Sequence, residues 1–137
     1  MKILNLTETY SVSPQVRAKD MSALAEAGFT AVINNRPDGE MWGQPKGAEI
    51  EAAAEAAGLA YFNIPISLRG LDPAQIEQLK KAQSKTKGKI LAYCNTGTRA
   101  ANVWGLSQAG MLSAEQIIAA GTQAGFNLNG LRPYLGG

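Results

Sequence analysis

One cysteine, Cys94, carries the strongest indication of chemistry in this sequence. It follows the apolar run 89–93 and precedes a turn that contains Gly97 and ends at Arg99. The run predicts a strand and the residues after Arg99 predict a helix, so the thiol stands at a strand-to-helix turn. Amide N–H groups at a helix N-terminus and a guanidinium both favour an anion, either a bound oxyanion or the thiolate itself. The sequence therefore predicts a functional thiol, whereas a cysteine without such neighbours is usually an inert core residue.

The composition limits the class of protein. A chain of 137 residues is long enough for one domain with its own core, and we expect a single domain over 1–137. The net charge of +2 is too small to indicate nucleic-acid binding, and the five lysines between 80 and 89 are expected to be solvated. A single cysteine cannot form an internal disulfide, so we expect the protein in a reducing cytoplasm. The sequence has no long apolar segment, so we expect no membrane partner.

The sequence contains no histidine. This excludes cysteine–histidine nucleophile pairs, histidine general bases and the common zinc sites. We therefore expect no metal and no organic cofactor, and we expect backbone amides and Arg99 to activate Cys94.

Strand and helix patterns alternate along the chain. The predicted strands are 3–6, 10–12, 30–34, 59–66 and 89–93, and the predicted helices are 20–27, 45–57, 72–82, 99–109 and 113–124. This alternation predicts an α/β fold with a mainly parallel sheet covered on both faces. Because ligands bind at the carboxyl ends of such strands, the loops after Asn34, Ile66 and Tyr93 are expected to meet at one mouth.

Four segments carry a resemblance to a known family: 31–40, 63–66, 93–99 and 130–133. With them the sequence resembles the beta-lactamase hydrolase-like, phosphatase-like family, which is related to dual-specificity protein phosphatases. The resemblance implies a cysteine-phosphatase fold, with a central sheet of four or five strands flanked by helices, and the thiol loop as a phosphate cradle. Some relatives are fused to a metallo-beta-lactamase-like sulfur dioxygenase, which implies a link to sulfur metabolism.

The thiol loop departs from the usual cysteine-phosphatase pattern. Four residues separate Cys94 from Arg99 instead of five, and a spacing of four is typical of rhodanese sulfurtransferases. These four residues are Asn95, Thr96, Gly97 and Thr98. In a phosphatase, the Cys94 thiolate would attack phosphorus while the loop amides and Arg99 hold the phosphoryl oxygens.

A phosphatase also needs an acid that protonates the leaving oxygen, and the sequence does not place one at the usual position. Dual-specificity phosphatases carry an aspartate shortly after the strand that here ends at Ile66, but no aspartate occupies those positions. Asp38 is the candidate acid because its loop should overhang the mouth, and its competing role is turn formation with Gly39. Arg36 is either a second anion anchor or a tie that holds this loop through Glu40. Asp72, before Pro73, is expected to cap a helix.

These observations favour a cysteine-dependent, phosphatase-like hydrolase acting on a phosphorylated or small-molecule substrate, with a phosphate or sulfate anion held in the Cys94 loop. Two alternatives stay open. Cys94 could carry a persulfide in sulfur transfer, which needs a stabilised thiolate but no leaving-group acid. The domain could also be a non-catalytic module that binds anions or senses oxidants through Cys94. Trp42 is a candidate pocket or lid residue, and Trp104 is expected in the core.

Overall fold

The computed structural model describes residues 1–136 and contains one five-stranded sheet. The strands are β1 (Leu4–Asn5), β2 (Tyr10–Ser13), β3 (Phe29–Asn34), β4 (Ala60–Asn63) and β5 (Lys89–Tyr93), in the order β1-β2-β5-β3-β4. Only β1 is antiparallel to its neighbour, and the other four strands are parallel. The predicted fold class, a mainly parallel sheet flanked by helices, is confirmed.

Five α-helices cover the sheet. They are α1 (Met21–Glu26), α2 (Gly47–Ala56), α3 (Pro73–Lys85), α4 (Thr98–Ser107) and α5 (Ala114–Ala124), and short 3₁₀ helices span Ala18–Asp20 and Asn129–Tyr134. The start of α3 follows the sequence prediction, because the Asp72 side chain accepts a hydrogen bond from the Ala74 N–H at 2.9 Å. No helix within residues 1–136 is long and apolar enough to cross a membrane.

Strand β5 lies at the centre of the sheet, and the sheet separates the hydrophobic core into two clusters, one on each face. Ile90, Ala92 and Cys94 belong to the cluster covered by α3, α4 and α5, whereas Leu91 and Tyr93 belong to the cluster covered by α1 and α2. This alternation is the two-residue period of a strand that is buried on both faces. It places the thiol on the same side of the sheet as α4.

Helix α4 is anchored by a large aromatic side chain. Trp104 is 1% exposed, as predicted for a core residue, and its ring centroid lies 6.2 Å from that of Tyr10 in β2. Burial of an indole of this size contributes strongly to packing. The N-terminus of α4 is therefore held in a fixed position next to the end of β5.

Several predicted ends of helices and strands are wrong by two or three residues: the helix predicted for 72–82 continues to Lys85, and the helix predicted for 99–109 ends at Ser107. Two further changes have local reasons. The predicted strand 59–66 ends at Asn63, after which the Ile64 N–H donates to the carbonyl of Asn34 at the end of β3 and the Ile66 N–H donates to the carbonyl of Asn35. The predicted helix 45–57 begins only at Gly47, because Lys46 is in an extended conformation. Both changes occur at the carboxyl edge of the sheet, where the loops turn toward the mouth.

Candidate active site

The thiol lies at the carboxyl end of β5, where the chain turns into α4. Its Sγ atom accepts a hydrogen bond from the Gly97 N–H at 3.1 Å. The neighbouring backbone is fixed by the Gln15 N–H, which donates to the Asn95 carbonyl at 3.2 Å. The side chain of Cys94 is buried, with 1% of its surface exposed.

The turn after Cys94 requires glycine at one position. Gly97 is the N-cap of α4 and has φ +96°, a conformation that residues with a Cβ rarely adopt. A Cβ at this position would also lie 3.1 Å from Cζ of Phe126. The conformation of Gly97 points its N–H at the sulfur of Cys94.

The rest of the turn is open to solvent. Asn95, Thr96 and Thr98 are exposed, and the N–H groups of Asn95 and Thr96 donate no hydrogen bond within the described chain. Unpaired amides beside a helix N-terminus form an anion-binding concavity. All four predicted cradle residues therefore lie in one short segment next to the sulfur.

Arg99 joins the three loops that meet at the mouth. Its Nη1 donates to the Ile66 carbonyl and to Glu40 Oε2, both at 2.7 Å, and its Nη2 donates to Glu40 Oε1 at 2.8 Å. Hydrogen bonds and charge from Glu40 raise the pKa of Arg99, and the nearby Cys94 adds to that rise. The predicted convergence of the loops after β3, β4 and β5 is confirmed by these contacts.

Comparison with known proteins shows the family of this chain. Residues 2–111 match the family described as the beta-lactamase hydrolase-like protein, phosphatase-like domain. The chain belongs to this family. It is 35% identical over 130 residues to the beta-lactamase hydrolase-like protein of Xylella fastidiosa strain Temecula1. That alignment covers 93% of this chain but 30% of the relative, so the chain spans about a third of that protein.

Three solved structures are similar to this phosphatase-like domain. A phosphatase candidate from Neisseria meningitidis Z2491 shares 34% identity with a TM-score of 0.83, covering 98% of this chain and 96% of that one. Kinase-associated phosphatase, crystallised with its catalytic-site cysteine replaced by serine, has 16% identity and a TM-score of 0.73 over 96% and 88% of the chains. Pseudomonas aeruginosa TpbA, crystallised with phosphotyrosine, has 16% identity and a TM-score of 0.61 over 97% and 89%. The latter two likenesses show the fold.

The sequence analysis named Glu40 only as a partner of Arg36 and missed its pairing with Arg99. Its carboxylate accepts two hydrogen bonds from Arg99 and one from Arg36 Nε at 3.0 Å, and its side chain is 15% exposed. The hydrogen bond from Arg99 is the main reason that the pKa of Glu40 lies below its ordinary value, with Arg36 contributing in the same direction. The sequence offers one signal, the Arg36 to Glu40 spacing, but nothing in it indicates the pairing with Arg99.

Arg36 ties the loop after β3 to the rest of the mouth. It is 4% exposed, and besides Glu40 it donates through Nη1 to Gln15 Oε1 at 3.0 Å. Its Nη2 is buried without a hydrogen-bond partner among residues 1–136. Two roles were predicted for Arg36. The observed contacts are those of a residue that holds the loop through Glu40, and anion binding by Arg36 stays a prediction.

The Asp38 carboxylate lies against the start of α2. Its Oδ1 accepts the Gly47 N–H at 2.8 Å, and none of its hydrogen bonds in the described chain reaches Cys94, Arg99 or the loop between them. This is the contact of a helix-capping carboxylate. A role for Asp38 as the general acid stays a prediction and requires that this contact break.

The tyrosine before the thiol faces the other side of the sheet. Tyr93 is 1% exposed in the α1–α2 cluster, and burial raises the pKa of its hydroxyl far above the ordinary value. Nearby, the Asn34 side chain accepts the Arg36 N–H at 2.8 Å and donates to the Tyr61 hydroxyl at 3.0 Å. These contacts stabilise the turn after β3 and do not reach the thiol loop.

The described residues contain no group of three or more His, Cys, Asp and Glu that could hold a metal.

The outer rim of the mouth carries exposed apolar side chains. Trp42 is fully exposed and Met41 is 60% exposed, directly after Glu40. Leu68 is 77% exposed, two residues after the Ile66 carbonyl that binds Arg99. The Trp42 ring therefore does not cover the site in this conformation.

Proposed function

We propose that this domain is a cysteine-dependent phosphatase in which the Cys94 thiolate attacks a phosphate ester. The observation that carries the proposal is the position of the sulfur. It lies at the N-terminus of α4, accepts the Gly97 N–H at 3.1 Å and neighbours Arg99. Membership in a phosphatase-like family and the likeness to the Neisseria phosphatase candidate support the same reaction.

Each part of the loop has a role in this reaction. The unpaired amides of Asn95 and Thr96 hold oxygens of the phosphoryl group, the Gly97 N–H donates to the sulfur, and Sγ attacks phosphorus opposite the leaving oxygen. Arg99 uses both terminal nitrogens for Glu40, but its Nε makes no hydrogen bond within residues 1–136. The edge formed by Nε and the second hydrogen of Nη2 is therefore available for an oxyanion.

The substrate class follows from the chemistry of this cradle. A helix N-terminus, unpaired amides and an arginine bind tetrahedral oxyanions, so we propose a phosphorylated substrate. TpbA, a structural neighbour, was crystallised with phosphotyrosine. The larger relatives contain further sequence, and a link of this domain to sulfur metabolism remains a proposal.

The test is release of phosphate from para-nitrophenyl phosphate by the purified chain. We expect Cys94→Ser to abolish turnover, and Arg99→Lys to reduce it by roughly 10²–10³-fold, because a point charge cannot replace the guanidinium fork. Arg132→Lys is the matched control, since Arg132 is half-exposed and, among residues 1–136, forms its one ion pair with Glu115. A Cys94→Ser protein that retains the wild-type rate overturns the proposal.

Sulfur transfer is the second candidate, favoured by one observation. The Asp38 carboxylate is bound to the Gly47 N–H, and sulfur transfer needs no acid to protonate a leaving oxygen. The Cys94 thiolate would attack the outer sulfur of thiosulfate, the S–S bond would break and sulfite would leave, so that Cys94 holds a persulfide. Cyanide would then take the outer sulfur as thiocyanate and restore the thiolate.

The two candidates are separated by their products. Thiocyanate formed from thiosulfate and cyanide, and lost in Cys94→Ser, assigns sulfur transfer. Phosphate release without thiocyanate assigns the phosphatase. Cys94-dependent anion binding without either product assigns the non-catalytic module, and a thiol oxidised by peroxide under the same conditions identifies it as a sensor.

A further inference from the structure

A cleft of about 360 Å³ lies at the opposite end of the sheet from Cys94. Tyr10, the first residue of β2, and Ile90, near the start of β5, line it, so it opens at the amino ends of these two strands. The end of α4 and the segment after it close the cleft through Trp104 and Leu112. The cleft is therefore separate from the mouth, which forms at the carboxyl ends of the strands.

The Tyr10 hydroxyl is a buried polar group of this cleft that lacks a partner. Tyr10 is 4% exposed, and its hydroxyl makes no hydrogen bond among residues 1–136. Burial raises the pKa of this hydroxyl far above its ordinary value, so the group keeps its proton and is a hydrogen-bond donor. A buried donor without an acceptor destabilises the folded state, so its presence requires a specific reason. A ligand that accepts a hydrogen bond from Tyr10 would supply that reason.

Two glutamines add polar groups whose hydrogen bonds inside the protein are long. Gln83 Nε2 donates to Ser107 Oγ at 3.4 Å, and Gln108 Nε2 donates to Gln83 Oε1 and to Ser107 Oγ, both at 3.3 Å. Ordinary N–H···O hydrogen bonds measure roughly 2.7–3.2 Å, so these three bonds are weak. Gln83 and Gln108 line the cleft and are only partly buried. Their amides can therefore exchange these bonds for shorter ones to a ligand, as donors and as acceptors.

The wall of the cleft is uncharged and partly apolar. Trp104, Ile90 and Leu112 form its apolar part, and the Trp104 ring centroid lies 6.2 Å from that of Tyr10. No Asp, Glu, Lys or Arg among residues 1–136 lines it. A charged ligand would lose hydration there without gaining an ion pair, which is unfavourable. A concave apolar wall with a few polar groups is typical of a site for a small uncharged molecule.

We propose that this cleft is a binding site for a small uncharged molecule that carries a carboxamide group on a ring. The Tyr10 hydroxyl donates to the carboxamide oxygen, and the side-chain oxygens of the two glutamines accept the carboxamide N–H groups. The ring packs against Trp104 and Leu112. This inference does not depend on the reaction at Cys94, because the residues that line the cleft are not those of the mouth.

The binding test uses the fluorescence of Trp104. The chain contains two tryptophans, and Trp42 is fully exposed, so Trp42→Phe leaves Trp104 as the only emitter. Benzamide is the probe, and benzoate, which has nearly the same size and shape but a negative charge, is its control. We expect benzamide to change the Trp104 emission saturably, with a Kd on the order of 1 mM, and benzoate to bind at least about tenfold more weakly. A change that does not saturate, or equal affinity for both compounds, overturns the proposal.

A second variant in the Trp42→Phe background tests the role of the hydroxyl. Tyr10→Phe removes only the oxygen and should weaken benzamide binding by roughly 3- to 10-fold, while Tm stays equal or rises because the unpartnered donor is gone. Tyr134→Phe, 71% exposed and outside the cleft, is the matched control and should bind benzamide within about twofold of the parent. A Tyr10→Phe protein that binds benzamide as tightly as the parent overturns the proposal. A lower Tm together with unchanged binding also overturns it, because the hydroxyl would then be satisfied by water alone.

Discussion

We expect Gly97→Ala to damage the thiol loop through two separate effects. The first is conformational, because Gly97 has φ +96° and a Cβ is disfavoured there. The second is steric, because the new Cβ would meet Cζ of Phe126 at 3.1 Å. Relief of either effect rotates the Gly97 N–H away from the Cys94 sulfur, to which it donates at 3.1 Å.

The magnitudes of the two effects can be separated with a control. Forcing an alanine into the left-handed region costs about 1–2 kcal/mol. For a domain of this size that corresponds to a fall in Tm of roughly 3–8 °C. Gly58→Ala shares this cost, since Gly58 has φ +83°, but its Cβ would meet nothing within 4 Å. Gly97→Ala should therefore be less stable than Gly58→Ala by the additional cost of moving Phe126.

The assays are thermal unfolding and Cys94-dependent phosphate release. Both variants should lose stability, but only Gly97→Ala should lose activity, by roughly 10- to 100-fold, because displacing a hydrogen-bond donor beside the reacting atom lowers the rate strongly. The assigned role of Gly97 is wrong if its alanine variant matches Gly58→Ala in both measurements. An active but strongly destabilised Gly97→Ala would refute the link between this N–H and the thiolate.

Two further predictions concern the carboxylates near the mouth. The pKa of Glu40 is lowered by folding, so its stabilisation should be present above its unfolded value near 4.5 and be lost as pH falls through the lower folded value. The difference in unfolding free energy between wild type and Glu40→Gln, measured by urea denaturation, should shrink from pH 7 to pH 3, and a constant difference would contradict this. Asp38→Ala should lower the free energy of unfolding by about 1 kcal/mol, because it removes the acceptor of the Gly47 N–H. Asp38→Asn keeps an oxygen at this position and should lower it less. Equal losses of stability, measured by the same urea denaturation, would show that this contact does not stabilise α2.

Local signals in the sequence predicted much of this structure. The cap at Asp72, the strand before Cys94 and the helix after it depend on neighbouring residues, so each could be assigned from a short segment. The α/β class followed from the alternation of these elements. The resemblance to a phosphatase-like family, now shown by comparison, added the expected fold.

The contacts that set the charge of the site could not be predicted in this way. Glu40 and Arg99 are separated by 59 residues and meet only because β3 and β5 are adjacent and parallel. The Asp38 contact with Gly47 depends on how the loop after β3 folds back on α2. Both pairings are tertiary, and a single sequence contains no local pattern that specifies which of several carboxylates will reach a given guanidinium.

The mouth is built from two kinds of segment, which differ in how far a substitution would disturb their conformation. Cys94, the four residues after it and Arg99 lie within one stretch of six residues that joins β5 to the first turn of α4, and the buried Trp104 holds α4 in place. The Glu40 carboxylate that binds Arg99 comes instead from the loop after β3, in which Met41 and Trp42 are exposed. We therefore expect substitutions in that loop to change the surroundings of Arg99 without disturbing the turn that holds Cys94, so that the thiol turn and its rim can vary independently.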